Sequence, residues 1–173
     1  MIIAVTGLPG TGKTTFARSL AHAVGTIHLN TDIVRHLLHM RGRYQPEDKA
    51  RVYDALFTKL EDAIKLGKHV VVDGTFYSSE LRTRLREVGD KHDIPVTWIE
   101  LQADEEVIRK RVVRHREYSE ADFDAYQAVK AQYEPIKCMH LVLRSDRMTP
   151  GEMTKTALSF LNIEPAEMDK SKS

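Results

Sequence analysis

Lys13 and Thr14 close the run Gly7-Leu8-Pro9-Gly10-Thr11-Gly12-Lys13-Thr14, which fits G-x-x-x-x-G-K-[ST] at every fixed position. Such a run turns successive backbone N–H groups toward phosphate oxygens, through dihedrals that residues with side chains resist. A helix opening at Lys13 adds unsatisfied N–H donors and the positive end of its dipole. The expected chemistry is nucleoside triphosphate binding, with ATP and Mg²⁺ as the cofactors. Lys13 should reach the β- and γ-phosphates and the Thr14 hydroxyl should ligate the cation. Gly7, Pro9, Gly10, Thr11, Gly12, Lys13, Thr14 and Thr15 make up the expected nucleotide contact. The bland alternative is a glycine-rich turn with an incidental lysine; the buried strand before it and the amphipathic helix after it favour the phosphate cradle.

A second acid-bearing element is Val70-Val71-Val72-Asp73-Gly74. A carboxylate at the carboxyl end of a buried strand stands at the edge where ligands gather in open α/β sheets. There Asp73 can orient Mg²⁺ between phosphates, or it can be a turn residue before Gly74. Many hydrolytic motors place Glu directly after this Asp, and here the position is Gly74. The chain also has no N-K-x-D element of the kind that reads guanine. Both features favour transfer to a bound acceptor over hydrolysis.

Asp32 and Arg35 come next, in Asn30-Thr31-Asp32-Ile33-Val34-Arg35. Asp32 is the candidate general base, taking the proton of an acceptor hydroxyl. Arg35, one helical turn on, is the candidate for holding an anionic group of that acceptor. Two structural roles compete: Asp32 as helix cap and Arg35 as its surface ion-pair partner.

Arg109, Lys110, Arg111, Arg114, His115 and Arg116 crowd one segment that Asp104, Glu105 and Glu106 open. Acids first and bases last suit a helix macrodipole, and i,i+4 pairing accounts for part of the charge. The surplus of arginine suggests a lid that clamps the transferring group, with Arg111 or Arg114 in the catalytic position.

These groups need a scaffold, and the hydrophobic pattern supplies one. Short β-branched runs at 2–6, 27–30, 69–73, 96–101 and 140–143 read as strands. Helices are expected at 13–24, 32–40, 47–66, 79–91, 104–116 and from Ser119 to before Pro135, with a last one after Thr149. Gly25 and Gly67 supply helix stops. Ser119 with Asp122, and Thr149 with Glu152, resemble capping boxes. Alternating strands and helices imply a parallel sheet covered on both faces. The expected class is therefore α/β. Residues 1–163 form its one domain, and 164–173 a polar, frayed tail.

With 173 residues there is room for one core and not a second. A net charge of +1 gives no bulk electrostatic case for nucleic acid, though a local patch could serve. Cys138 alone forms no intramolecular disulfide. No run is apolar enough to span a bilayer, no signal peptide is recognisable at the N-terminus, and a cytoplasmic location is expected.

Together these elements resemble the small P-loop kinases grouped around polynucleotide 5′-hydroxyl kinase, zeta toxin and chloramphenicol phosphotransferase, the kinase domain of phage-type polynucleotide kinase above all. The resemblance covers about residues 1–160 and implies a P-loop NTPase fold with an arginine-bearing helical lid. It matches the family's D-x-x-R pair to Asp32 and Arg35, which implies a general base and a contact to a phosphate of a nucleic-acid acceptor. The lid departs from the pattern. The family spaces two arginines four residues apart, and four on from Arg111 is His115. Asp73-Gly74-Thr75 also resembles the D-G element of adenylate and gluconate kinases. The implied activity is ATP-dependent transfer to a hydroxyl, of a polynucleotide 5′ end or of a small molecule such as a nucleoside, sugar acid or antibiotic. A slow nucleotide-dependent switch is the alternative from another class.

Overall fold

The computed structural model describes residues 1–114 and 123–163, without the side chains of residues 112–114, 124 and 125. Five strands, β1 (Ile2–Thr6), β2 (Ile27–Asn30), β3 (Val70–Asp73), β4 (Val96–Gln102) and β5 (Leu141–Arg144), form one sheet. Their order is β2-β3-β1-β4-β5, and every neighbouring pair is parallel. The helices are α1 (Lys13–Val24), α2 (Thr31–Leu37), α3 (Pro46–Lys65), α4 (Ser79–Asp90), α5 (Glu105–Arg114), α6 (Phe123–Gln132) and α7 (Pro150–Phe160).

Strand residues alternate between two cores because successive side chains leave opposite faces of a pleated strand. Ile2, Ala4, Val70, Val72 and Trp98 pack against α3 and α4 through Val52, Leu56, Leu60, Leu81 and Leu85. On the other face, Ile3, Val5, Val71, Ile99, Leu101 and Leu143 meet Phe16, Ala17 and Leu20 of α1 and Met153, Ala157 and Leu158 of α7. Both faces are thus covered by helices, as a parallel sheet requires. A small third cluster joins Ile108 of α5 and Tyr126 of α6 to Leu8 and Phe123.

After β1 the chain builds β2 and β3 on one side, then crosses to build β4 and β5 on the other. That reversal opens a crevice at the carboxyl end of β1. Register sets its rim: Val5 and Asn30 are both aligned with Asp73, and Thr6 with Glu100.

The strong local signals hold. Gly25 ends α1 at φ 68°, and Thr149 with Glu152 forms a full capping box on α7. One helix is shorter than its periodicity suggests. α2 stops at Leu37, His39 takes a left-handed φ of 55°, and the Met40 N–H returns to the Arg35 carbonyl at 3.0 Å. Met40 is buried there by the reversed chain and not as a helical residue, which is why apolar spacing alone misassigned it. β5 is shifted by one, so His140 precedes it. Helix α6 ends at Gln132, ahead of Pro135. Its proposed opening at Ser119 and Asp122, together with His115, Arg116 and the tail 164–173, lies outside the described residues. Among the described residues no helix is long and apolar enough to cross a membrane.

Candidate active site

The glycine loop joins β1 to α1 with Gly7, Gly10 and Gly12 at φ 138°, 77° and 87°. At Gly7 a Cβ would come within 2.3 Å of the Leu101 carbonyl oxygen, so β4 enforces glycine there. α1 begins without a side-chain cap, leaving its first N–H groups for a ligand. The loop is held from within. Thr11 Oγ1 donates to the Leu8 carbonyl at 2.8 Å, and Lys13 Nζ donates to the same oxygen at 2.9 Å. Burial lowers the Lys13 pKa, opposed by the nearby carboxylates of Asp73 and Asp32. The charges of both acids therefore reach the lysine, although the three residues come from the loop, β3 and α2. Thr15 is exposed on α1 beside them.

Asp73 is 1% exposed, and its two oxygens differ. Oδ2 accepts from Asn30 Nδ2 at 2.6 Å and lies 3.3 Å from His28 Nε2. Oδ1 is buried and has no hydrogen-bond partner. Asn30 Nδ2 also lies 3.2 Å from Thr14 Oγ1, so one amide ties the loop threonine to the strand-end acid.

The cap of α2 is Asn30. Its Oδ1 accepts from the backbone N–H groups of Asp32 and Ile33 at 2.8 and 3.0 Å. Capping therefore falls to Asn30 and not to Asp32, which is exposed in the first turn. Asn30, His28 and Tyr53 were missed by sequence reasoning. The signal for Asn30 was present, an Asn directly before a helical run at a strand end. For Tyr53 there was none. Its buried hydroxyl accepts from the Phe76 N–H at 2.9 Å, within electrostatic reach of Asp32 and Asp73, and burial pushes its pKa far up. Phe76 itself stands at φ 44°, a conformation rare for an aromatic residue, with its ring packed at 5.4 Å on Tyr53 and 5.5 Å on Trp98.

Arg35 shares the acid's helix but is not a loose surface side chain. It is 7% exposed, donates from Nη1 to the Arg43 carbonyl at 2.5 Å, and lies 4.4 Å over the Tyr44 ring. Arg111 lies on the opposite side of the loop. Its Nη1 and Nη2 donate to Oγ and the carbonyl of Ser145 at 2.9 and 2.7 Å, and Ser145 Oγ donates to the Thr11 carbonyl at 2.6 Å. Arg111 therefore braces the phosphate loop through Ser145, another residue that the sequence did not flag. Arg114 ends α5, and its side chain lies outside the described residues.

A family model described as an AAA domain, AAA_33, matches residues 2–136. The chain belongs to the AAA_33 family of P-loop proteins. Among curated relatives, an uncharacterized Mycobacterium tuberculosis protein is 28% identical over 121 residues, 63% of this chain and 24% of its own length. A Schizosaccharomyces pombe bifunctional polynucleotide phosphatase/kinase is 26% identical over 137 residues, 77% of this chain and 29% of its own length. The chain thus spans about a quarter of the length of these relatives. A sugar kinase from Janibacter sp. has a TM-score of 0.73 at 24% identity, covering 95% of both chains. That likeness is one of fold, and the fold of this AAA_33 chain is that of the P-loop kinases.

Proposed function

We propose that the protein is an ATP-dependent kinase that transfers the γ-phosphoryl group to an acceptor hydroxyl. One observation carries this reading: Asn30 and not Asp32 caps α2, and the charges of Asp32 and of Asp73, at neighbouring strand ends, both act on the Lys13 ammonium. Phosphoryl transfer needs little more from a protein than positioning and charge placed around the reacting group. In this reading the loop N–H groups and Lys13 hold the β- and γ-phosphates. Asp32 takes the proton as the acceptor oxygen bonds to the γ-phosphorus. The bond to the bridging oxygen breaks and ADP leaves with its electron pair.

The donor set fits Mg²⁺. Asp73 Oδ1 is a buried oxygen without a partner and the Thr14 hydroxyl lies near by. Among the described residues no group of three His, Cys, Asp or Glu could cage a metal alone. That suits an ion which keeps waters and shares its site with substrate phosphates. Bound there, Mg²⁺ would neutralise charge developing on the phosphates.

For the acceptor, a polynucleotide 5′-hydroxyl is the first choice, supported by the D-x-x-R pair and the similarity to the fission-yeast polynucleotide phosphatase/kinase. A small-molecule acceptor is the second, supported by the full-length likeness to a sugar kinase and by the net charge of +1. The test is transfer of radiolabelled γ-phosphate to 5′-hydroxyl oligonucleotides and to a metabolite panel, by wild type and Asp32→Asn. The asparagine variant should melt like wild type, bind ATP, and lose kcat by at least ~10²-fold. Full kcat in that variant would end the role of Asp32 as base.

A further inference from the structure

Leu8 occupies a position that G-x-x-x-x-G-K-[ST] leaves free, so phosphate binding alone does not call for a leucine there. Its half-buried side chain packs against the cluster of Ile108 from α5 and Tyr126 from α6, which Ala103 and Phe123 complete. Ile108 and Tyr126 are almost fully buried, at 1% and 2% exposure. The main chain of Leu8 belongs to the phosphate loop. Its carbonyl oxygen accepts from Thr11 Oγ1 at 2.8 Å, from Lys13 Nζ at 2.9 Å and from the Thr11 N–H at 3.4 Å.

A second link runs beside the first. Arg111 of α5 donates to Ser145, whose hydroxyl donates to the Thr11 carbonyl at 2.6 Å. Helix α5 therefore grips both ends of one turn, Leu8 by its side chain and Thr11 through Ser145. The two grips differ in consequence, because Leu8 carries the oxygen on which the Lys13 ammonium rests. An ammonium on a flexible four-carbon stem takes its place from its acceptors. Close-packed neighbours in turn leave the Leu8 side chain little room to shift.

We propose that Leu8 is a positioning residue: by packing into the α5–α6 cluster it fixes the carbonyl that orients Lys13. The affinity of the loop for a nucleoside triphosphate then depends on how α5 packs on α6, although neither helix is part of the loop. The nucleotide half of this proposal rests on the kinase reading; the link between Leu8 and Lys13 does not.

Three variants isolate the side chain. Leu8→Ala keeps the N–H and carbonyl, and Leu8 is not among the residues at positive φ, so alanine takes the same backbone. Leu8→Met conserves volume. Ile64→Ala opens a cavity in the core on the α3–α4 face of the sheet and controls for lost stability. In calorimetric titration with Mg²⁺ and a non-hydrolysable ATP analogue, Leu8→Ala should weaken binding by about 3- to 30-fold, and the other two by less than about twofold. Ile108→Ala, which leaves every loop residue in place, should weaken it too. The double variant Leu8→Ala/Ile108→Ala should lose less than the product of the single losses, because both act through one contact. A second readout needs no nucleotide. Solvent exchange of the Lys13 ammonium protons, followed by ¹⁵N NMR, should be faster in Leu8→Ala than in wild type and unchanged in Leu8→Met and Ile64→Ala.

Leu8→Ala that binds the analogue like wild type, or no worse than Ile64→Ala, would overturn the proposal. Fully multiplicative losses for Leu8→Ala and Ile108→Ala would do the same. A wild-type chain that binds no nucleotide would instead remove the kinase reading, and the Lys13 exchange rates would still decide whether Leu8 packing sets the lysine.

Discussion

The two sides of the crevice are built differently. On the phosphate side a regular strand and a regular helix flank a loop whose three glycines take positive φ. Its polar groups are tied inward: Lys13 and Thr11 to the Leu8 carbonyl, and the Thr11 carbonyl to Ser145. On the α2–α3 side the chain between Leu37 and Pro46 has no regular element, His39 and Gly42 take left-handed dihedrals, and Arg35 is buried with its Nε–H lacking an acceptor among the described residues. Ile33 and Leu37 are left 49% and 57% exposed. The first side meets a ligand mainly with backbone, so a short glycine pattern is enough to build it. The second meets one with side chains brought together from separate elements, and so can be fitted to one acceptor.

Breaking the phosphate side should have the largest effect. Lys13→Ala should lower transfer by at least ~10²–10³-fold, the scale of removing one preorganised charge from a developing anion. Its melting temperature should change little, because the side chain gives up a single hydrogen bond to Leu8. A transfer assay with thermal melting checks both, and wild-type activity would remove the loop from the mechanism.

A smaller effect is expected where the two sides meet, at Gly74. A Cβ there would stand 2.9 Å from Thr31 Cγ2, 3.2 Å from Phe76 Cε2 and 3.4 Å from Tyr53 Oη. Gly74→Ala should cost ~1–3 kcal/mol by overpacking and should raise acceptor KM more than ATP KM, since Thr31 belongs to α2 and Tyr53 to α3. Adding Thr31→Ser removes the nearest methyl and should return part of the loss, which denaturant unfolding of the single and double variants would measure. Additive losses would show that Thr31 is not what excludes a side chain. The same crowding explains why no Glu follows Asp73, a feature that the sequence presents only as an absence.

What the sequence made legible follows the same division. The loop, the helix it opens, the Gly25 stop, the Thr149–Glu152 box and the strand ending in Asp73 are short-range patterns, and each stands where its residues indicate. Asp32 and Arg35 were found by spacing, but their surroundings were not. Capping by Asn30 is a local pattern that was passed over, whereas the Tyr53 hydroxyl under Phe76 and the Asn30 bond to Asp73 join residues far apart in the chain, and no local period records such a meeting. Arg111 was chosen for its charge. Its bonds to Ser145 depend on where β5 ends, 34 residues further along the chain.

The smallest effect should come from the one residue that belongs to both sides. The Asn30 amide N–H group serves the phosphate side, bonding Asp73 Oδ2 and Thr14 Oγ1, and its carbonyl oxygen serves the α2 side by capping the helix that carries Asp32. Serine keeps the cap but cannot supply the donors, because its shorter hydroxyl is committed to the helix N–H groups. Asn30→Ser should therefore cost about 1 kcal/mol, with His28 still beside Asp73 Oδ2 to limit the loss. Asn30→Ala removes the cap as well and should cost about 1 kcal/mol more. The two steps should then separate in kinetics. From wild type to serine, the Mg²⁺ concentration for half-maximal transfer should rise, since Asp73 and Thr14 lose their common tether. From serine to alanine, kcat and acceptor KM should worsen with little further change in the Mg²⁺ requirement, since only the start of α2 has loosened. A serine variant that changes acceptor KM while leaving the Mg²⁺ requirement unmoved would show that Asn30 acts through α2 alone, and that the two sides of the crevice are not joined at this amide.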